Sequence, residues 1–166
     1  MPRDAAVVAE ILGEAARWLE QSGMPMWKER EAEPEVVAAD VGAGLFFIIE
    51  SSGDAAGTVK FELDDPLFWP DASRMDAAYV HRLAVRRSHA GRGLSSALLS
   101  WAAERTRWLG LPYLRLDCEA SRGRLRAMYE SFGFLHHSDR QVGPYFVSRY
   151  EYDVTGAGMT TRLPPG

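Results

Sequence analysis

The chain has 166 residues, enough for about one domain with an ordinary core, and its 46% hydrophobic and 25% charged residues are those of a soluble globular protein. A net charge of −4 argues against nucleic-acid binding by bulk electrostatics, and a single cysteine, Cys118, excludes an internal disulfide and a cysteine-based zinc site. The sequence shows no leader pattern and no apolar run of bilayer length, so the cytoplasm is the expected compartment and no membrane partner is expected.

Asp4 is placed to cap a helix over residues 5–21, in which Val8, Ile11, Leu12, Ala15, Trp18 and Leu19 follow helical spacing. Gly23 and Pro25 stop it, and the chain around Trp27 reads as irregular. Pro34 suits the first position of a short helix over residues 35–40, ended by Gly42 and Gly44. Residues 45–50 are a continuous apolar run of strand length, and residues 51–54 read as a turn. Val59, Phe61 and Leu63 then alternate with Thr58, Lys60 and Glu62, so the two runs predict an antiparallel hairpin. Residues 64–76 form a long loop with Pro66, Trp69, Pro70 and aspartates at 64, 65, 71 and 76, and loops of this length are often functional.

The next strand spans residues 78–85, with Tyr79, His81, Leu83 and Val85 on one face. A helix over residues 94–109 follows. Its expected apolar stripe is Leu94, Ala97, Leu98, Trp101, Trp108 and Leu109, with Gly110 as cap and Pro112 preventing extension. Residues 113–118 form a strand, and Ser121 caps a helix that runs to about residue 132 with Leu125, Met128, Tyr129 and Phe132 on its stripe, closed by Gly133. Residues 134–138 and 145–154 complete the strands. Residues 156–166 read as a flexible tail behind a single domain over residues 1–155. The element order predicts an α/β chain of the α+β kind, with a mixed sheet and helices on its faces.

Residues 83–99 hold the chemistry. An apolar strand end runs into a basic turn, a glycine pair and an amphipathic helix. Gly91 and Gly93 permit torsions and close approaches closed to other residues, and the helix that follows presents unpaired N–H groups and the positive end of its dipole. Arg86, Arg87 and Arg92 add charge. A small anion, most plausibly a phosphate, is the expected guest. The lysine–serine/threonine pair of a P-loop is missing after the last glycine, which excludes that reading.

With the strand ending Leu83-Ala84-Val85, the turn Ala90-Gly91-Arg92-Gly93-Leu94-Ser95, and Leu116-Asp117-Cys118 leading to Tyr129-Glu130-Ser131-Phe132-Gly133-Phe134, the chain resembles the GNAT superfamily of acyl-CoA N-acyltransferases. The resemblance runs from the first helix to about Val154. It implies a mostly antiparallel central sheet with helices on both faces and acetyl-CoA as cosubstrate. The pyrophosphate would lie on the amides of Gly91, Arg92, Gly93, Leu94, Ser95 and Ser96, and the pantetheine arm would pair with the backbone of Leu83, Ala84 and Val85. Ala90 stands where the family usually has Gln or Arg, and Ser95 where it usually has Gly or Ala. Arg87 or Arg92 would replace the lost side chain at position 90. Arg122 stands where many relatives place an Asn near the cofactor. The family's first strand, before its first helix, is expected to be very short or missing here.

The resemblance also implies roles. Acetyl transfer needs a neutral amine, a polarised thioester carbonyl and a proton for the departing thiolate. Tyr129 matches the family's general acid; its other reading is a core aromatic on its helix's apolar stripe. His81, four residues before Val85, matches the histidine that arylalkylamine-type members use as base; its other reading is a hydrogen-bonded strand histidine, with water as base. A backbone N–H near Val85 would polarise the carbonyl. The loop aspartates either attract a cationic amine or, more commonly, solvate the loop, while Trp69 and Trp27 either wall an acceptor pocket or cover the core. His89, His136 and His137 lack acidic or cysteine partners at metal-ligand spacing, and no metal is expected. Cys118 reads as a small buried residue. The expected activity is transfer of acetyl from acetyl-CoA to a primary amine by direct attack, on a small-molecule or peptide acceptor. A catalytically idle acyl-CoA-binding domain is the alternative. Pairing of two subunits is common in the family, so a homodimer is a further expectation.

Overall fold

A computed structural model describes residues 2–26 and 29–156. In order the chain forms α1 (Pro2–Gln21), a 3₁₀ turn (Glu29–Ala32), α2 (Pro34–Gly42), β1 (Phe46–Ser51), β2 (Asp54–Glu62), β3 (Ala77–Val85) and a second 3₁₀ turn (Arg87–His89). Then come α3 (Leu94–Trp108), β4 (Tyr113–Glu119), α4 (Gly123–Phe132), β5 (Leu135–Val142) and β6 (Tyr145–Asp153). The strands make a six-stranded sheet in the order β1-β2-β3-β4-β6-β5. β1 with β2, β4 with β6, and β5 with β6 are antiparallel, whereas β3 runs parallel to β4. This is the mixed sheet expected, and among the described residues no strand precedes α1.

The chain divides into two compact units that interleave in sequence: Met1–Glu62 with Val80–Trp101, and Leu63–Tyr79 with Ala102–Gly166. In the first, alternation along β1 sends side chains to opposite faces. Phe46 and Ile48 pack with Val8, Ile11 and Leu12 of α1 and Val37 of α2. Phe47 meets Trp101 of α3 at 4.3 Å between ring centroids. Helices therefore cover both faces of β1–β2. Val8, Ile11 and Leu12 are at most 1% exposed, and burial of such side chains contributes about 1.5–3 kcal/mol each. Gly57 of β2 lies so close to β3 that an added Cβ would stand 2.9 Å from the Ala84 carbonyl oxygen, which is why no side chain fits there.

In the second unit the register pairs Leu114 with Tyr152 and Leu116 with Tyr150, and these alternate with the pairs Arg115–Glu151 and Asp117–Arg149. The apolar face carries an aromatic cluster in which Tyr129 and Phe132 of α4 meet Phe134, Tyr150 and Tyr152. The charged face receives the loop over residues 63–76. Trp69, 4% exposed, lies between two guanidiniums, with Arg115 at 5.0 Å and Arg149 at 4.6 Å from its ring.

Several local expectations need correction. Asp4 lies inside the first turn of α1, because the helix starts at Pro2. Ser121 is outside α4, whose N-cap is Arg122 with no side-chain capping bond. The buried stripe of α3 is Leu98, Leu99, Ala102, Ala103 and Thr106, while Trp108 is 80% exposed. Thr106 tolerates burial because its hydroxyl donates to the Ala102 carbonyl. The helix ends as expected at Gly110, through bonds from the Gly110 and Leu111 amides back to Arg107 and Thr106. β5 continues to Val142, well past the expected residue 138, since pairing with β6 and not apolar alternation holds this edge strand. Trp27 and residues 157–166 of the expected tail lie outside the described residues.

Candidate active site

Where β3 ends, the chain is tied down before it turns. The Arg86 amide donates to the Ala56 carbonyl at 2.8 Å, and its guanidinium reaches the Ala55 carbonyl at 2.8 Å, Glu14 at 3.1 Å and Glu10 at 3.1 Å. Burial works against that charge, but the two glutamates outweigh it and hold Arg86 more firmly protonated than usual. The Arg87 amide donates to Glu14 Oε1 at 3.0 Å, and the Arg87 guanidinium lies 4.1 Å from the Trp18 ring centroid. Arg86 therefore braces the strand end and does not add free charge to an anion site. Arg92 is exposed and, among the described residues, has no ion-pair partner.

After Ala90, which is extended (φ −61°, ψ 149°), Gly91 and Gly93 take left-handed torsions of φ +75° and +73°. An added Cβ would meet nothing within 4 Å at either position, so the requirement for glycine is torsional and not steric. α3 opens at Leu94 with no acidic residue in its first turn, and its first long bond runs from Ala97 N–H to the Gly93 carbonyl. The preceding amides, Leu94, Ser95 and Ser96 among them, have no intrahelical acceptor, and Leu94 and Ser95 are half-buried while Ser96 is exposed. Main-chain donors at the head of a helix in this arrangement are able to receive an anion.

Upstream, the β3–β4 ladder covers only Ala77–Tyr79 against Tyr113–Arg115, so Leu83, Ala84 and Val85 lie beyond its end. Arg82 sits between with φ +49°, a left-handed residue inside a strand, its guanidinium donating to the Glu31 carbonyl at 3.0 Å. It breaks the two-residue alternation, so Tyr79 and His81 do not share a regular face with Leu83 and Val85. No feature of the sequence marks this kink.

His81 is half-buried, with Nε2 3.7 Å from Glu62 Oε2. Glu62 is bonded at 3.0 Å to Lys60, which also meets Asp40 at 3.0 Å. Burial disfavours the Lys60 ammonium, but the two carboxylates prevail and raise its pKa. Glu62 as a partner is not legible in the sequence: its place directly before the loop, on a strand beside β3, is visible only in the fold.

Tyr129 and Arg122 belong to the second unit and the other candidates to the first. Tyr129 is 7% exposed, and burial, reinforced by Cys118 and Asp117, drives its phenol well above the usual range, so it carries its proton at all neutral pH values. The ring is a core aromatic, 6.0 Å from Phe134 and 6.2 Å from Tyr150. Tyr150, overlooked in the sequence, donates its hydroxyl to Glu130 at 2.7 Å and accepts from Arg126 at 2.9 Å. Arg122 caps α4 with its Nε 3.4 Å from Glu119.

Three of the four loop aspartates are held by groups of the protein, while Asp64 is exposed. Asp76 is bonded to Arg115 and Asp71 to Arg149, while Asp65 is buried and accepts from the Phe68 amide. His136 does have an acidic partner, Asp139 at 2.8 Å, brought within reach by a register shift in β5. His137 bonds Ser138, and His89 is buried. Cys118 is buried as expected.

A mixed sheet with this glycine turn at the head of α3 is the arrangement that the resemblance to acetyl-transfer proteins leads one to expect. Residues 12–134 match the model of the acetyltransferase (GNAT) family, and the chain belongs to that family. It is 28% identical over 138 residues to a Bacillus subtilis (strain 168) protein named as the uncharacterized N-acetyltransferase YesJ, covering 79% of this chain and 76% of that one. A GNAT-family acetyltransferase structure from Listeria monocytogenes superposes with a TM-score of 0.78 at 25% identity, covering 92% of this chain and 91% of the other. The Salmonella typhimurium protein yncA, solved with its cofactor acetyl-CoA, shares the fold at a TM-score of 0.66 and 17% identity, over 100% of this chain and 94% of its own. Among the described residues no helix is long and apolar enough to cross a membrane.

Proposed function

We propose that the protein transfers an acetyl group from acetyl-CoA to a primary amine by direct attack, as a cytoplasmic enzyme. The observation that carries this reading is the paired left-handed glycines, Gly91 and Gly93, which deliver the amides of residues 91–96 as an anion cradle at the head of α3. That cradle suits a pyrophosphate held by main-chain donors, so Ala90 costs a side-chain contact without removing the site. Arg92 supplies the formal charge. Leu83, Ala84 and Val85, beyond the end of the β3–β4 ladder, offer backbone groups to the amide-bearing arm of the cofactor.

Acetyl-CoA supplies a thioester whose carbonyl carbon accepts the amine. The new C–N bond forms as the C–S bond breaks. His81, or a water it holds, takes the proton released from the amine, and Tyr129 gives its phenolic proton to the departing thiolate. A phenol kept neutral by burial still carries its proton when the thiolate departs. The ion pair of Arg122 with Glu119 leaves it a smaller part in cofactor binding than the turn. Thiol release from acetyl-CoA with a panel of primary amines tests the reading. Amine-dependent release supports it; tight acetyl-CoA binding without release would establish an idle binding domain instead.

A further inference from the structure

The strongest unexplained feature of the first unit is the line of side chains Glu10, Glu14 and Trp18 on α1, spaced four residues apart and so stacked on one helix face. All three engage the two residues that follow β3. Glu14 uses both carboxylate oxygens: Oε2 accepts from the Arg86 guanidinium at 3.1 Å and Oε1 from the Arg87 main-chain amide at 3.0 Å. Glu10 takes the other arm of Arg86, and Trp18 receives the Arg87 guanidinium. A surface ion pair alone would contribute little. Here the carboxylate also holds a backbone amide, at the point where the strand gives way to the turn, and the Arg86 side chain it neutralises is only 19% exposed.

We infer that Glu14 is a positioning residue for the cofactor turn, acting from α1 through Arg86 and Arg87. Three consequences follow from the geometry. The backbone at Arg87 is fixed three residues before the extended Ala90, so the left-handed pair Gly91 and Gly93 starts from a set direction. The Arg86 charge is consumed inside the protein, and the phosphate-binding charge is left to the helix head and Arg92. The Arg87 side chain is drawn onto Trp18, away from the role of replacing the missing residue at position 90. The inference rests on acetyl-CoA being held at residues 91–96.

Two measurements on the full chain test it. In steady-state kinetics, Glu14→Ala raises the KM for acetyl-CoA about tenfold, with kcat and the acceptor KM within about twofold of the parent, as expected for loss of charge-assisted bonds that organise a binding loop. Glu14→Gln, whose amide oxygen still accepts the Arg87 N–H, recovers most of that loss. In hydrogen exchange on the ligand-free protein, the amides of residues 87–93 exchange faster in Glu14→Ala and at an intermediate rate in Glu14→Gln, with the α3 interior unchanged. An unchanged exchange pattern at residues 87–93 overturns the inference, as does a parallel fall in kcat and rise in both KM values. Should the parent protein neither bind acetyl-CoA nor release thiol, the functional reading fails, and the exchange experiment alone decides the positioning role. Should Glu14→Ala not fold, Glu14→Asp, whose shorter side chain draws the carboxylate back from Arg86 and the Arg87 amide, takes its place in both measurements.

Discussion

Arg149 grips Asp71 with two bonds, of 2.6 and 3.1 Å, and so fastens the loop over residues 63–76 to β6. The same guanidinium donates to the Phe68 carbonyl and to Ser138, and it lies against Trp69. Arg149 holds the Asp71 carboxyl down at about 2, against 3.8 when free, with burial opposing weakly. A carboxyl depressed in the folded state stabilises above its unfolded pKa and loses that contribution as pH falls from about 4 to about 2. Asp71 itself is half exposed, so the worth of the pair is about 1 kcal/mol or less. The melting temperature of Asp71→Asn is therefore below that of the parent at pH 7, and the gap closes as pH drops through that window. A gap independent of pH would show that the charge on Asp71 is not what fastens the loop.

Tyr129 is expected to act through a proton that burial keeps on the phenol until the thiolate departs. Removing the hydroxyl in Tyr129→Phe lowers kcat by about 10²-fold while leaving the KM for acetyl-CoA close to that of the parent, the usual scale of a positioned acid. The raised pKa also places no alkaline limb from this phenol below pH 10, its free value. Unaltered turnover in the phenylalanine variant would leave Tyr129 with its packing role alone.

What the sequence reveals here follows the range of the forces involved. The hairpin of β1 and β2, the Pro34 start of α2, the Gly110 stop of α3 and the left-handed glycine pair are local, and each is legible from a few adjacent residues. The stripe of α3 was misplaced because Trp108 is hydrophobic yet exposed, while Thr106 satisfies its hydroxyl inside the helix and can be buried. The kink at Arg82 and the bonds of Glu14 and Glu62 depend on partners far away in sequence, 51 residues in the case of Arg82 and Glu31, and no spacing rule reports them. The loop aspartates show the same limit: their number suggests solvation, and only the register Arg115–Glu151 and Asp117–Arg149 shows that cations of the sheet were waiting for them.

Cys118 tests the environment around Tyr129 without touching catalysis. Burial first, and the Asp117 charge after it, push its thiol up to about 11. The thiolate fraction at pH 7.5 is then on the order of 10⁻³–10⁻⁴, and the side chain is 8% exposed. Native protein is expected to resist iodoacetamide at pH 7.5, and full labelling should appear only on unfolding in guanidinium. Rapid native labelling would mean that the face of β4 beneath α4 opens readily.

His81 is the candidate base, with Glu62 Oε2 3.7 Å from its Nε2. If it takes the amine proton, the acid limb of the kcat/KM profile belongs to it, and His81→Ala removes that limb while cutting the rate at its plateau by about 10²-fold. A profile of unchanged shape in the alanine variant would assign proton removal to water or to amines that arrive neutral.

Gly93 separates the torsional demand of the turn from its space. With φ at +73° and nothing within 4 Å of an added Cβ, Gly93→Ala introduces no clash, and its whole effect is the cost of a left-handed alanine, about 1 kcal/mol. The folded protein can relieve that strain only by rotating the peptide whose amides form the cradle. Acetyl-CoA affinity is therefore expected to fall by as much as the roughly fivefold that 1 kcal/mol represents, with a melting temperature lowered by only a few degrees. Titration of acetyl-CoA by calorimetry measures the first quantity and a thermal melt the second. An unchanged affinity beside a lowered melting temperature would mean that the variant turn keeps its shape or that the amides of residues 91–96 do not set cofactor binding.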